Sequence, residues 1–157
     1  MNKYFNKIMK KVIFTILIFL FASSCGYQPL VFKNVDLAIK LDELGGDNKI
    51  NYIIKNRLKI YEKKNNNYNL EIVDSNINKI VASKDTKGNP KSYQLSVKLI
   101  INLKKNTDII IKDKNFFATT NYNTISSKFD LKKYEDNLIE NLTEKISDEI
   151  ILYIQTL

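Results

Sequence analysis

From position 93 to position 104 the chain alternates between apolar and polar side chains, with one exception at Ile100. Successive side chains of a β-strand point to opposite faces of the sheet, so a period of two predicts a strand with one buried face. The apolar residues that share this face are Tyr93, Leu95, Val97, Leu99, Ile101 and Leu103. This is the clearest element in the chain, and its apolar face requires a covering layer.

The rest of the chain predicts the neighbours of this strand. A short strand is expected over 35–41, and apolar residues that recur every three or four positions predict a helix over 49–62. Alternation over 68–81 predicts a second strand with a β-bulge near Val73, and β-forming residues over 109–124 predict a fourth.

The last segment predicts a long helix that runs from Asp130, the expected N-cap, to the C-terminus. Its apolar stripe comprises Tyr134, Leu138, Leu142, Ile146, Ile150, Tyr153, Ile154 and Leu157. The order strand, helix, three antiparallel strands, helix therefore predicts an α/β two-layer sandwich. In it, two helices pack on one face of a four-stranded mixed, mostly antiparallel sheet.

The N-terminus carries the marks of a secretory signal. Four lysines precede residue 12 with no acidic residue among them, and an apolar run follows over 12–22. Because a membrane-spanning helix needs about 20 apolar residues, this run is too short for a permanent span. We expect residues 1–24 to be a cleaved signal peptide, 25–34 a lipidated tether and 35–157 a single α/β domain.

The end of the apolar run reads Ala22-Ser-Ser-Cys25-Gly26, and Cys25 is the only cysteine of the chain. This resembles a bacterial lipobox, in which the cysteine receives diacylglycerol before cleavage, although the pattern prefers Leu, Val or Ile where Ala22 stands. The alternative is an ordinary small-residue cleavage site with an incidental cysteine. The interpretation predicts Cys25 as the lipid-attachment residue.

The side-chain inventory argues against catalysis. The chain has no histidine, and lipidation would consume its one thiol, so neither a His or Cys active site nor a zinc site is expected. With four glycines and no glycine-rich phosphate loop, no cofactor is expected either.

Positive charge is concentrated in the middle of the chain. Residues 49–114 hold 15 basic and 6 acidic side chains, a net charge of +9. Lys84, Lys87 and Lys91 cluster in a turn predicted over 83–91, and four more lysines (Lys104, Lys105, Lys112 and Lys114) lie at the opposite end of the central strand. The alternative interpretation is a solvated, lysine-rich surface.

The functional interpretation of the three turn lysines is a binding site for an anionic amphiphile. Their ammonium groups would contact phosphates while the adjacent apolar strand face accepts acyl chains. Nucleic acid would satisfy the same lysines, but a secreted, membrane-anchored domain rarely meets it, so it is not an expected partner. Tyr68, Tyr93 and Tyr134 are expected in the core rather than in a stacking platform.

Several short motifs, taken in order, resemble the LPS-assembly lipoprotein family (LptE-like). They are the start Cys25-Gly-Tyr-Gln-Pro-Leu30, the Asp85-Thr-Lys-Gly88 turn that leads into Ser92-Tyr-Gln-Leu-Ser-Val97, the strand that ends Asn121-Tyr-Asn123, and the helix led by Tyr134. The resemblance covers most of the chain after the signal. It implies two helices on a four-stranded sheet, which agrees with the fold predicted from periodicity.

The resemblance also implies a function. It predicts a non-enzymatic outer-membrane lipoprotein that partners and plugs a large LPS-translocating β-barrel, assists its assembly and contacts lipopolysaccharide (LPS) on its way to the cell surface. The expected location is the outer membrane, through the N-terminal lipid, facing the periplasm or inside a barrel lumen. The alternative is a lipoprotein accessory subunit of an envelope lipid (ABC-type) transporter.

Overall fold

The computed structural model describes residues 37–63, 67–105 and 108–157. The predicted signal, Cys25 and the whole of the tether lie outside these residues, so the expected boundaries at 24/25 and 34/35 stay predictions. The elements are β1 (Ile39–Leu44), α1 (Asn48–Leu58), a 3-10 turn (Lys59–Tyr61), β2 (Tyr68–Lys84), β3 (Pro90–Lys105), β4 (Asp108–Asn123) and α2 (Lys128–Gln155).

The four strands form one sheet in the order β1-β2-β3-β4. β1 is parallel to β2, while β2, β3 and β4 are joined antiparallel. The two helices lie against this sheet as a second layer, which confirms the predicted two-layer α/β sandwich. The apolar face of β3 forms the centre of the core, where Leu95, Val97, Leu99, Ile101 and Leu103 are all buried as predicted.

The β-bulge expected near Val73 is present, because the β2–β3 register shifts between Ile72 and Asp74. The turn from β1 into α1 packs directly on this bulge. Gly45 N–H donates to the Ile72 carbonyl oxygen at 2.7 Å, and Asp47 N–H donates to the Ser75 carbonyl oxygen at 2.9 Å. Gly46 adopts φ +85°, a left-handed conformation that glycine reaches without strain.

Asp47 also starts α1, since its side chain accepts hydrogen bonds from the backbone N–H groups of Lys49 and Ile50 at 2.8 and 3.1 Å. Such a cap satisfies helix donors that have no partner within the helix. The α1 helix is thereby attached at a fixed point above β2.

The predicted N-cap of the long helix is wrong. Ser127 caps α2, and its Oγ accepts the backbone N–H of Asp130 at 3.2 Å. Asp130 lies instead in the first turn, where a carboxylate interacts favourably with the positive end of the helix dipole. Both residue types suit a cap, so the local sequence alone does not choose between them.

The buried face of α2 is broader than the predicted stripe. Leu142, Ile146, Ile150 and Ile154 are buried as expected, but the face also includes Ile139, Thr143, Ser147 and Ile151, and Tyr134 and Leu157 are exposed. The reason is that α2 packs against both the sheet and α1, so more than one stripe is covered. The two hydroxyls tolerate burial because they donate to carbonyl oxygens one turn earlier, at 2.7 and 2.9 Å.

Candidate anion-binding site at the β2–β3 hairpin

The β2–β3 hairpin has two halves with different surroundings. In the covered half, residues 68–77 and 95–105, the side chains on one face are buried beneath the helices. In the open half, residues 78–94, every side chain from 78 to 91 is exposed. Pairing nevertheless continues to the tip, where Lys84 is opposite Pro90. The open half is thus a hydrogen-bonded ribbon without a covering layer along most of its length.

The turn at the tip is organised by Asp85. Its Oδ1 accepts the backbone N–H groups of Lys87 and Asn89, both at 2.8 Å. Its own N–H donates to the Asn89 carbonyl oxygen at 2.8 Å, and Gly88 closes the turn with φ +86°. The hydrogen bond from the backbone of Asn89 is the largest cause of a lowered pKa of the Asp85 carboxyl. The turn predicted over 83–91 is therefore present, with a defined geometry.

The structure places Lys84, Lys87 and Lys91 together around this turn, all exposed. Lys84 ends β2, Lys87 lies in the turn, and Lys91 follows Pro90 at the start of β3. Within the described part of the chain none of the three lies in an ion pair or over an aromatic ring. Their ammonium groups are thus available to an anion.

Three of the lysines at the opposite end of β3 are engaged instead. Lys104 forms an ion pair with Glu71 at 3.1 Å. Lys105 and Lys114 lie over the rings of Tyr68 and Tyr153, 5.7 and 4.7 Å from the ring centroids. The two lysine clusters that look alike in sequence therefore differ in the structure. Among the described residues, three of the four lysines at this end have an ion-pair or ring partner, and none of the three hairpin lysines has one.

The expectation that the apolar face of β3 accepts acyl chains is wrong for this structure. Helix α2 covers that face, and Leu95, Val97 and Leu99 are buried by it and by neighbouring strands. The exposed apolar side chains of the open half are Ile80 and Val81 on β2. A ligand that reaches the hairpin lysines would meet these residues and not the β3 face.

A polar cluster joins the open half to α2. Glu135 Oε1 accepts hydrogen bonds from Lys79 Nζ and from the Tyr122 hydroxyl, both at 2.6 Å. Lys79 Nζ also lies 4.1 Å from the centroid of the Tyr93 ring, and Tyr93 stacks on Tyr122 at a centroid separation of 5.6 Å. Sequence reasoning missed this cluster, since residues 79 and 135 carry no pattern that links them.

The cluster shifts the pKa values of its members in opposite directions. Burial acts to raise the pKa of Glu135, but the hydrogen bonds from Lys79 and Tyr122 outweigh it and the pKa is lowered. Burial and the bond to Glu135 raise the pKa of the Tyr122 hydroxyl. Tyr134, expected in the core, is exposed and meets the Tyr122 ring edge-on at 5.9 Å.

Two further kinds of feature bear on function, a metal site and a membrane-spanning helix. Across 37–63, 67–105 and 108–157 no three His, Cys, Asp or Glu side chains come together as metal ligands. Neither described helix combines the length and the apolar character that crossing a bilayer requires.

No protein-family model matches the chain, and no curated protein sequence matches it. Solved structures match its fold. Rare lipoprotein B from Shewanella oneidensis gives a TM-score of 0.61 at 11% identity, over 76% of this chain and 94% of that chain. Lipoprotein B from Nitrosomonas europaea gives 0.57 at 11% identity, over 73% of this chain and 79% of that chain.

The minor lipoprotein from Acinetobacter baumannii gives a TM-score of 0.54 at 11% identity, over 74% of this chain and 88% of that chain. At these identities the similarity establishes the fold. The two-layer sandwich of this chain is the architecture of several solved lipoproteins.

Proposed function

We propose that this chain is a lipid-anchored outer-membrane lipoprotein. In this proposal it partners and plugs an LPS-translocating β-barrel, assists the assembly of that barrel, and contacts LPS through Lys84, Lys87 and Lys91. The observation that carries the proposal is the coincidence of a lipoprotein fold with a lone Cys25 at the end of a signal-like apolar run. The two features are of different kinds, since one is a fold and the other is a short stretch of sequence.

The topology separates the hairpin tip from the start of β1. Ile39, at the start of β1, is opposite Tyr68, and Asn69 is opposite Lys104. The chain therefore enters the sheet at the end away from the hairpin tip. At about 3.3 Å per residue, the 17 residues of β2 extend roughly 55 Å between these ends.

Lipid attachment is tested by Cys25→Ala. The thiol is the only group at this position that can form the thioether, so we expect the variant to lose incorporation of a palmitate analogue completely and to accumulate as precursor. Stable anchoring needs two or more acyl chains, and the variant should also leave the membrane fraction or remain held by its uncleaved signal. Retained label in Cys25→Ala would contradict the lipoprotein assignment.

LPS contact is tested by the triple variant Lys84→Gln, Lys87→Gln and Lys91→Gln in the purified lipidated protein. We expect LPS binding to weaken about tenfold or more and to lose much of its salt dependence, since salt screens exposed charge contacts. The matched control is the triple Lys→Gln change at positions 105, 112 and 114, which removes the same charge at the other end of the sheet. An equal loss of LPS affinity in the two triple variants would mean that LPS is attracted by the overall charge of the protein, and it would contradict a binding site at the hairpin.

The barrel partner is tested by affinity purification of the full protein from envelopes. The proposal expects a large outer-membrane β-barrel to co-purify in a stable complex. Co-purification of inner-membrane transporter subunits without a barrel would contradict it and would support the accessory-subunit alternative.

A further inference from the structure

Five exposed apolar side chains lie at the hairpin end of the domain, and three of them are Phe129, Val81 and Ile125. Phe129, in the first turn of α2, is 77% exposed, Val81 on β2 is 43% exposed, and Ile125 in the β4–α2 loop is 38% exposed. None of them belongs to the core, and Phe129 and Ile125 have no part in the proposed LPS contact.

Backbone and side-chain contacts bring these residues to one end of the molecule. Thr124 N–H, next to Ile125, donates to the Lys91 carbonyl oxygen at 3.0 Å, which joins the loop to the base of the hairpin. The ion pair between Lys79 and Glu135 holds the first turns of α2 against β2, two residues from Val81. We refer to residues 79–93 and 122–134 as the hairpin end.

The hairpin end is strongly basic. It contains seven lysines and two aspartates, and one of these, Asp85, is occupied by the amides of its turn. Lys79 and Lys132 are ion-paired with Glu135 and Asp136, which leaves five lysines of this end without an ion pair among the described residues. Lys128 and Lys133 are exposed and flank Phe129 along the chain. Residues four apart share a helix face, so Phe129 and Lys133 present a ring and an ammonium group on the same side of α2.

We propose that the hairpin end is a second membrane contact, which docks on an anionic bilayer surface. Phe129 and Ile125 enter the region of the lipid headgroups, and the surrounding lysines contact lipid phosphates. Aromatic and apolar side chains among lysines are the composition of interfacial membrane contacts, where burial of apolar surface and attraction to anionic lipid act together. The charge of this end selects an anionic surface over a neutral one.

This inference rests on the lipid anchor of the proposed function, but not on its LPS contact or its barrel partner. It concerns phospholipid in a bilayer, and its main residues lie outside the Lys84, Lys87 and Lys91 turn. The two can fail separately, because the vesicles described below contain no LPS.

The chain has no tryptophan, so a single Phe→Trp substitution provides a unique fluorescent reporter. Phe129→Trp reports on the hairpin end. Phe117→Trp is the matched control, because Phe117 is 59% exposed on β4, where it is opposite Lys98 in the middle of the sheet and away from the hairpin end. Each variant is prepared as the full lipidated protein and reconstituted into vesicles of phosphatidylcholine with or without phosphatidylglycerol.

In vesicles that contain phosphatidylglycerol, we expect the Phe129→Trp emission to move to shorter wavelength and to be quenched by lipids brominated on the acyl chain. The Phe117→Trp emission should be unchanged by the same lipids. Equal responses of the two reporters would overturn the proposal, because they would mean that no particular end enters the bilayer. Equal quenching of Phe129→Trp with and without phosphatidylglycerol would overturn the role of charge.

The lysines are tested by adding Lys128→Gln and Lys133→Gln to the Phe129→Trp protein. One lysine near an anionic surface typically changes affinity about fivefold, so the pair should move half-maximal quenching to a clearly higher fraction of anionic lipid. Added salt should have the same effect on the unmodified reporter. An unchanged lipid dependence in the double variant would overturn the assignment of these lysines, and circular dichroism checks that both proteins are folded.

Discussion

The two halves of the β2–β3 hairpin share strands and hydrogen-bond ladder and are both rich in lysine, yet they have different physical roles. In the covered half the helices bury the apolar face, and Lys104 and Lys105 are engaged by Glu71 and Tyr68. In the open half the same ladder continues without cover, and its lysines at the tip have no partner among the described residues. The difference shows that the second layer, and not the strand itself, separates core from exposed surface.

The comparison predicts that apolar truncation acts mainly in the covered half. Ile72 is 1% exposed and Ile80 is 49% exposed, and both lie on β2. Ile72→Ala should lower the free energy of unfolding by about 2–5 kcal/mol, because it removes buried contacts and leaves a cavity. Ile80→Ala should lower it by about 1 kcal/mol or less. Urea unfolding of both proteins measures the difference, and similar losses would mean that the open half has a cover of its own.

The second prediction compares two glycines with almost equal backbone angles. Gly46 has φ +85° and Gly88 has φ +86°, so alanine is strained at both. A Cβ at Gly46 would lie 2.1 Å from the backbone nitrogen of Ser75, whereas a Cβ at Gly88 meets nothing within 4 Å. Gly46→Ala should therefore lower the free energy of unfolding by about 2–4 kcal/mol, and Gly88→Ala should lower it by about 1 kcal/mol.

Thermal unfolding compares the two glycine variants with the parent protein. The larger loss in Gly46→Ala would establish the contact between the β1–α1 turn and the bulge of β2 as the point where the covered half is fixed. A larger loss in Gly88→Ala would reverse the comparison and identify the tip as the more constrained region.

The smallest effect is expected at the joint between the open half and α2. Glu135→Gln should destabilise by about 1 kcal/mol at pH 7, since it weakens the bonds to Lys79 and Tyr122. The folded pKa of Glu135 is lowered, so its contribution is present above the unfolded value of about 4.3 and is lost as pH falls through the folded value. The difference in the free energy of unfolding between the parent protein and Glu135→Gln should therefore become smaller as the pH falls.

Unfolding at neutral pH and at about pH 3 measures this difference. Glu140→Gln is the control, because it makes the same change at an exposed position of α2. A difference that stays constant with pH would mean that the Glu135 charge does not hold the open half to the helix.

The strands β1, β2 and β3 show how much of the sheet could be predicted from local sequence patterns. Alternation predicted the position of β3 and the bulge near Val73. The reason is that side chains on the buried face of a strand recur at every second residue, and a bulge interrupts this period. The first strand was predicted over 35–41 and lies at Ile39–Leu44, since its pairing with β2 decides where it begins and ends. For the candidate site, turn residues predicted that Lys84, Lys87 and Lys91 come together, but they did not predict which lysines find partners.

The sequence by itself determined the two-layer fold, the hairpin turn and the clustering of its lysines. Each strand, helix and turn is recognised from a pattern within a few residues, and the order of these elements favours the two-layer fold. Only the tertiary structure decided that Ser127 caps α2, that Thr143 and Ser147 are buried, and that Glu135 joins Lys79 and Tyr122. It also decided that Lys104 is ion-paired, whereas Lys84 has no ion pair among the described residues. Apart from the Ser127 cap, which is a local contact, these outcomes depend on which residues distant in sequence become neighbours, and a short-range pattern carries no information about a partner 56 residues away.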